Sequence, residues 1–199
     1  IHGRVDQVPI EHWEDTTSAI SLMKTGSLVE LAMRMGCIAA NAPDRLLSVL
    51  PVLGRRIGIA LQMRNDLDEL ASIAQCQLED QPEDSIRDDD LRNARMTWPW
   101  VWASQRTGDA QCREWAMRLD RSPQDRWQVA RELFQLVGQH GDQIIGALVS
   151  EQLRLLAEHV MDRRLLDGMG EILRTIQRPS WPICVLGGIH AEHTSEVAR

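Results

Sequence analysis

Leu53-Gly54-Arg55-Arg56-Ile57-Gly58-Ile59-Ala60-Leu61-Gln62-Met63-Arg64-Asn65-Asp66-Leu67-Asp68-Glu69 reads as one helix. Ile57, Ala60, Leu61, Leu67 and Leu70 fall at three- and four-residue steps, which turns a single apolar stripe inward. At the end of this stretch, offsets of three and four bring Asn65, Asp66 and Glu69 to one face. There their oxygens can converge on a hard cation such as Mg²⁺. An acidic helix end is ordinarily a solvated face, so the choice between the two readings rests on what flanks it.

The chain has 199 residues, 43% of them hydrophobic, which suits one domain with a substantial core. A formal charge of −7 disfavours nucleic acid and anionic membrane as partners. No run of apolar residues reads as a membrane span, and the start has neither the charged nor the apolar region of a signal peptide. Cys37, Cys76, Cys112 and Cys184 are too scattered for a structural zinc site and read as reduced thiols of a cytoplasmic protein. The first residue is Ile1 and the chain reads as beginning inside an element, as part of a longer translation product would.

Outward from the central helix, the pattern stays helical. Residues 2–8 read as the end of an element, and Pro9 suits a first helical turn. A helix from Ile10 through Trp13, Ile20 and Met23 reaches Lys24-Thr25-Gly26-Ser27, whose weak helix formers predict a break or kink. Helical spacing resumes with Leu28, Leu31, Ala32, Met35 and Ala39. Pro43 then opens the central helix, which is expected to run to about Ala74 and to bend at Pro51. Gln75 to Asp90 is polar and acidic and reads as a surface loop. A helix from Leu91 or Pro99 to Gln105 is closed by Thr107-Gly108-Asp109. Ser122-Pro123-Gln124-Asp125 has the form of an N-cap for a helix to Val137. Gly138 to Gly141 is expected to break it before a helix from Asp142 to Val160, and a last helix runs through Leu165 and Ile176. Sustained period-two alternation is absent, so the fold class is all-α, an antiparallel helix bundle over 1–178 with a tail at 179–199.

Three further segments flank the acidic helix in a fixed order: Gly3-Arg4-Val5-Asp6-Gln7-Val8, Lys24-Thr25-Gly26-Ser27-Leu28, and Asp90-Leu91-Arg92-Asn93-Ala94-Arg95-Met96-Thr97-Trp98-Pro99. Together with the helix they resemble the trans-isoprenyl diphosphate synthases, also called the polyprenyl synthetase family. The resemblance covers residues 3–99 by motif and reaches about Ile176 by helix order. It implies the isoprenoid synthase fold and a reaction that ionises an allylic diphosphate, whose leaving group must be held by metal ions and fixed cations. By the same resemblance Asn65, Asp66 and Glu69 take the places of the second aspartate-rich motif, which binds Mg²⁺ on the diphosphate. Lys24 and Arg95 take the places of diphosphate-binding lysines, Thr25 follows Lys24 as in the family, and Gln62 stands beside the substrate channel. An arginine at 95 keeps the charge and adds bidentate geometry.

The departures are as informative. Asn65 stands where the family has an aspartate, which removes one negative charge from the metal motif. Leu61 replaces a phenylalanine and Ala94 a glycine, both mild changes on paper. No counterpart of the family's first aspartate-rich motif is found, and Asp88-Asp89-Asp90-Leu91-Arg92 fails its spacing. The resemblance therefore implies one wall of the usual site: the first half is lost or lies outside this sequence, or sits on a partner chain that carries the first motif, or the chain is a non-catalytic subunit. A homodimer is what the family leads one to expect. Trp98, Trp100 and Trp102 suit either buried packing or cation–π stabilisation of a carbocation. His190 and His193 lie in a Gly-containing tail with no helix to fix them as metal ligands. Met33, Met35 and Met63 read as core filling. The expected activity is condensation of an allylic prenyl diphosphate with isopentenyl diphosphate. The alternatives are a terpene synthase on the same scaffold and a non-catalytic subunit of a heteromeric synthase.

Overall fold

The computed structural model describes residues 3–75 and 89–180. A 3₁₀ turn, Ile10–His12, leads into α1 (Trp13–Ser21), a π-helical turn (Leu22–Gly26) and α2 (Ser27–Ala39). Then come α3 (Asp44–Gln75), α4 (Asp89–Arg92), α5 (Trp98–Thr107) and α6 (Asp109–Arg121). A second 3₁₀ turn, Pro123–Asp125, precedes α7 (Arg126–His159) and α8 (Arg163–Gln177). The molecule is an all-α bundle of the isoprenoid synthase type. Among the described residues the only β-type pairing is an isolated antiparallel bridge between Arg4 and Arg95.

α3 is the central element, packed between α2 and α7. Most of the stripe read from the sequence is buried: Ile57, Ala60, Leu67 and Leu70 are in the core, joined by Met63 and Ile73, and Leu61 packs half-buried against it. By length and composition α3 is long and apolar enough to cross a membrane. The same composition suits a helix covered on several sides, which is its place between α2 and α7. Pro43 opens it as expected, its carbonyl accepting from the Leu46 and Leu47 amides, and the helix runs on through Pro51.

Several expectations give way to the structure. The interruption expected at residues 24–27 is there, but it does not end the helix. The chain widens into the π turn, in which the Ser27 amide and hydroxyl both donate to the Leu22 carbonyl, 2.9 Å from Oγ. Residues 138–141 do not break α7 either. A Cβ on Gly141 would lie 2.3 Å from Cζ3 of Trp102, so the residue is there to admit an indole, not to end a helix. α6 escapes the periodicity reading because Cys112, Trp115, Ala116 and Leu119 carry its buried face within an otherwise charged sequence. Ser122 does not cap α7: its carbonyl closes the 3₁₀ turn by accepting from the Asp125 amide, and α7 starts after that turn. Residues 3–8 are a bridge residue and turns. They cross to the segment before α5, with the Val5 amide on the Ala94 carbonyl and the Met96 amide on the Gly3 carbonyl.

Met63 is buried and Met33 packs against the core, but Met35 is 60% exposed on the outer face of α2. Leu28, Leu31 and Ile38 share that exposure. Cys37 and Cys112 are buried free thiols. Cys76, Cys184, His190, His193 and the tail from 181 onward lie outside the described residues, as does most of the expected loop before α4.

Candidate active site

The π turn, the acidic end of α3 and the first residue of α5 meet in a line of hydrogen bonds. The Thr25 hydroxyl donates to Gln62 Oε1 at 2.7 Å, and Gln62 Nε2 donates to Asp66 Oδ1 at 2.7 Å. The backbone N–H of Trp98 donates to the other oxygen, Asp66 Oδ2, at 3.2 Å. The indole of Trp98 in turn donates to Ser21 Oγ at 2.9 Å, which ties α5 back to α1. Gln62 and Asp66 stand one turn apart on α3, so a single amide side chain bridges the threonine and the carboxylate.

Close approach of backbone makes this line possible. A Cβ on Gly58 would come within 2.6 Å of Gly26 Cα and 2.9 Å of the Thr25 carbonyl oxygen. Only two facing glycines let α3 press against the π turn, and the Thr25 side chain is thereby delivered to Gln62.

The Asp66 carboxyl is enclosed by its neighbours, and burial is the main reason it is pushed up from 3.8 to about 6. The negative charge of Asp90 pushes the same way. The hydrogen bonds from Gln62 and Trp98 and the positive charge of Lys24 oppose it. Lys24 is exposed on the π turn and makes no hydrogen bond or ion pair among the described residues. Arg95 is partly exposed and pairs through Nη1 with Asp90 Oδ1 at 3.1 Å.

Asp66, Glu69 and Asp90 line a small cavity of about 20 Å³ closed by Ile73, Trp100 and Leu133. Of the three metal candidates, Asp66 and Glu69 face this cavity, and Asn65 is exposed outside its lining. Asp90 joins them because α4 and the Arg4–Arg95 bridge carry it there, a contact with no local signal in the sequence. Among the described residues no three carboxylate, imidazole or thiolate groups stand close enough to form a metal cage. Hard carboxylate oxygens nevertheless fit Mg²⁺, which is usually held by one or two carboxylates together with phosphate oxygens and water.

The three clustered tryptophans are packed in the core. Trp98, Trp100 and Trp102 are at most 5% exposed. Trp98 stacks obliquely on Trp102 at 6.1 Å, and Trp100 meets Trp115 edge-on at 6.4 Å.

A helical bundle in which a lysine-bearing turn, a glutamine and an acidic helix end converge beside a paired arginine is of the isoprenoid synthase class. The family model described as polyprenyl synthetase matches residues 2–137, so the chain belongs to the polyprenyl synthetase family. It is also similar to geranylfarnesyl diphosphate synthase of Aeropyrum pernix, 31% identical over 86 residues that make up 43% of this chain and 25% of that protein. The chain thus spans about a quarter of the length of the curated relative it matches. No solved structure matches it.

Proposed function

We propose that the chain carries one wall of a Mg²⁺-dependent prenyltransferase that condenses an allylic prenyl diphosphate with isopentenyl diphosphate. The observation that carries this reading is the hydrogen-bonded line from Thr25 through Gln62 to Asp66. It fixes the acidic helix end against the turn that presents Lys24. In this reading Lys24 and Arg95 hold oxygens of the diphosphate, and Asp66 and Glu69, with Asn65 at the rim, hold the metal. Bound Mg²⁺ supplies neutralisation of the charge that develops on the leaving diphosphate. Gln62 keeps the Asp66 carboxylate oriented, and the apolar walls of Ile73, Trp100 and Leu133 limit water beside it. Among the described residues no three such groups stand close enough to form a metal cage, so further acid groups are assigned to a facing surface, supplied by a segment outside the described residues or by a partner chain that carries the first aspartate-rich motif. The bare apolar face of α2 supports that assignment. The buried free thiols Cys37 and Cys112 support a cytoplasmic location.

The test is a product assay with C10, C15 and C20 allylic diphosphates and Mg²⁺, run with and without isopentenyl diphosphate. A longer diphosphate formed only when isopentenyl diphosphate is present is the expected result. Hydrocarbon or alcohol formed in its absence would replace the proposal with a cyclase. No turnover of either kind would leave the non-catalytic subunit.

A further inference from the structure

Arg64 lies within the acidic segment of α3, yet it is almost fully buried and points away from the cavity. Its Nε donates to the Ile176 carbonyl at 2.9 Å and Nη2 to the Gln177 carbonyl at 3.5 Å, at the C-terminal end of α8. Nη2 also pairs with Asp142 of α7 at 2.5 Å, and Nη1 stands 3.6 Å from Asp68 one turn along α3. Asp68 in turn accepts hydrogen bonds from the side chain and backbone of Ser180, just beyond α8.

The site-bearing turn of α3 thus has two working faces. Gln62, Asp66 and Glu69 share one, and Arg64 and Asp68, each two residues after a member of that set, are rotated from it by about 200°. Besides Arg64, α8 is held by its buried Leu173 and Ile176, by the half-buried Leu166 and Met169, and by Gln177, whose Nε2 donates to the Gly146 carbonyl at 3.4 Å and to Ser150 Oγ at 3.3 Å. A guanidinium on the last carbonyls of a helix satisfies acceptors that have no intrahelical partner and meets the negative end of the helix dipole. Asp142 and α8 both lie beyond residues 2–137, the part matched to the family.

We propose that Arg64 is a positioning residue that locks the Asp66–Glu69 turn to α7 and α8, so that docking of the C-terminal helix sets the geometry of the site. Arg64 touches no substrate in this scheme. It acts through the backbone of its own turn on Asp66, and so on the contact between Asp66 and the Trp98 amide.

The functional arm of the test rests on the diphosphate-binding reading above; the structural arm does not. Two variants serve, Arg64→Lys, which cannot span the Ile176 carbonyl and Asp142 at once, and Asp142→Asn, which keeps the side-chain shape and removes the charge. Amide exchange in α8 is expected to quicken about tenfold in each, and the ¹H–¹⁵N resonance of the Trp98 amide to shift. Calorimetric affinity for pyrophosphate with Mg²⁺, measured well below the melting midpoint, is expected to fall about tenfold. If α8 exchanges faster but the Trp98 resonance and the affinity keep their wild-type values, Arg64 only anchors a helix and the proposal is overturned. Should Arg64→Lys fail to fold, Asp142→Asn decides by the same readouts. A wild-type chain that binds no pyrophosphate with Mg²⁺ would sink the prenyltransferase reading, while the Trp98 resonance would still decide the coupling.

Discussion

At the scale of single residues, Asp66 shows how a site is held at the expense of stability. Its carboxyl titrates near 6 when folded and near 3.8 when exposed, so its favourable contribution is full below about pH 4 and is lost as the pH rises through 6. At pH 7 the buried charge costs about 2–3 kcal/mol. Asp66→Asn should therefore stabilise the metal-free chain at pH 7 by about 2 kcal/mol, because the amide oxygen of the new side chain can accept from the Trp98 N–H and its NH₂ can donate to a flipped Gln62. Urea denaturation in the presence of EDTA would show this, and the advantage should vanish at pH 4. A gain that persists at pH 4 would mean that packing, not charge, separates the two proteins. Ala94 makes the complementary point. The sequence treats alanine for glycine there as mild, but Ala94 is fully buried with φ at 44°, a left-handed conformation that suits glycine. Ala94→Gly should raise stability by about 1 kcal/mol, and an unchanged denaturation midpoint would show that the bridge with the Gly3 segment absorbs the strain. Spacing alone placed Asp66 and Glu69 together, since both lie on one helix. It gave no warning about Ala94 or Asp90, whose settings depend on a backbone pairing with the segment around Gly3 at the other end of the described chain.

At the scale of elements, the bundle is governed by where backbones and rings approach most closely. Gly58 against Gly26 seats α3 on the π turn, and Gly141 seats α7 on Trp102. The two glycine signals read differently from the sequence because a helix-breaking residue and a close-packing residue are the same residue type. What separates them is the partner: Trp102 belongs to another element, far from Gly141 along the chain, so no window around Gly141 contains the reason for it. Long helices with many apolar residues, such as α3, were legible. α6, with a narrow buried face and many charges, was not. Gly58→Ala tests the argument directly. Its methyl would meet Gly26 backbone, which cannot swing aside as a flexible side chain would, so α3 and the π turn must part. The expected cost is about 1–3 kcal/mol in denaturation, together with loss of the Thr25–Gln62 hydrogen bond. If the proposed prenyl transfer holds, its rate should fall more than the fraction unfolded explains. Activity that tracks the folded fraction alone would remove Thr25 from any role at the site.

At the scale of the whole molecule, α2 is the element whose sequence and setting disagree. Its inner face, with Val29 and Met33, packs on α3, and its outer face shows Leu28, Leu31, Met35 and Ile38 at steps of three, four and three. Each is more than half exposed, and Ala32 and Ala39 beside them add no charge. A stripe with that spacing is what a second helix packs against, and monomers seldom leave such a face open. Lys24 precedes the stripe by one turn, so a surface that covers α2 would lie next to the turn proposed to hold the diphosphate. Met35 was legible as apolar and helical, but a periodic pattern cannot say whether its stripe meets this chain or another surface. The double change Leu31→Gln with Met35→Gln separates the cases. Neither side chain supports the described core, so the urea midpoint of the chain should move by less than about 0.5 kcal/mol. If the face is closed in the working assembly, sedimentation velocity should show smaller species than the wild type gives at the same concentration. The proposed prenyl transfer should then fall with that loss of association, and raising the protein concentration should partly restore it. Wild-type sedimentation and full turnover in the double variant would mean that α2 stands open in the active protein, and the facing wall would then have to dock elsewhere.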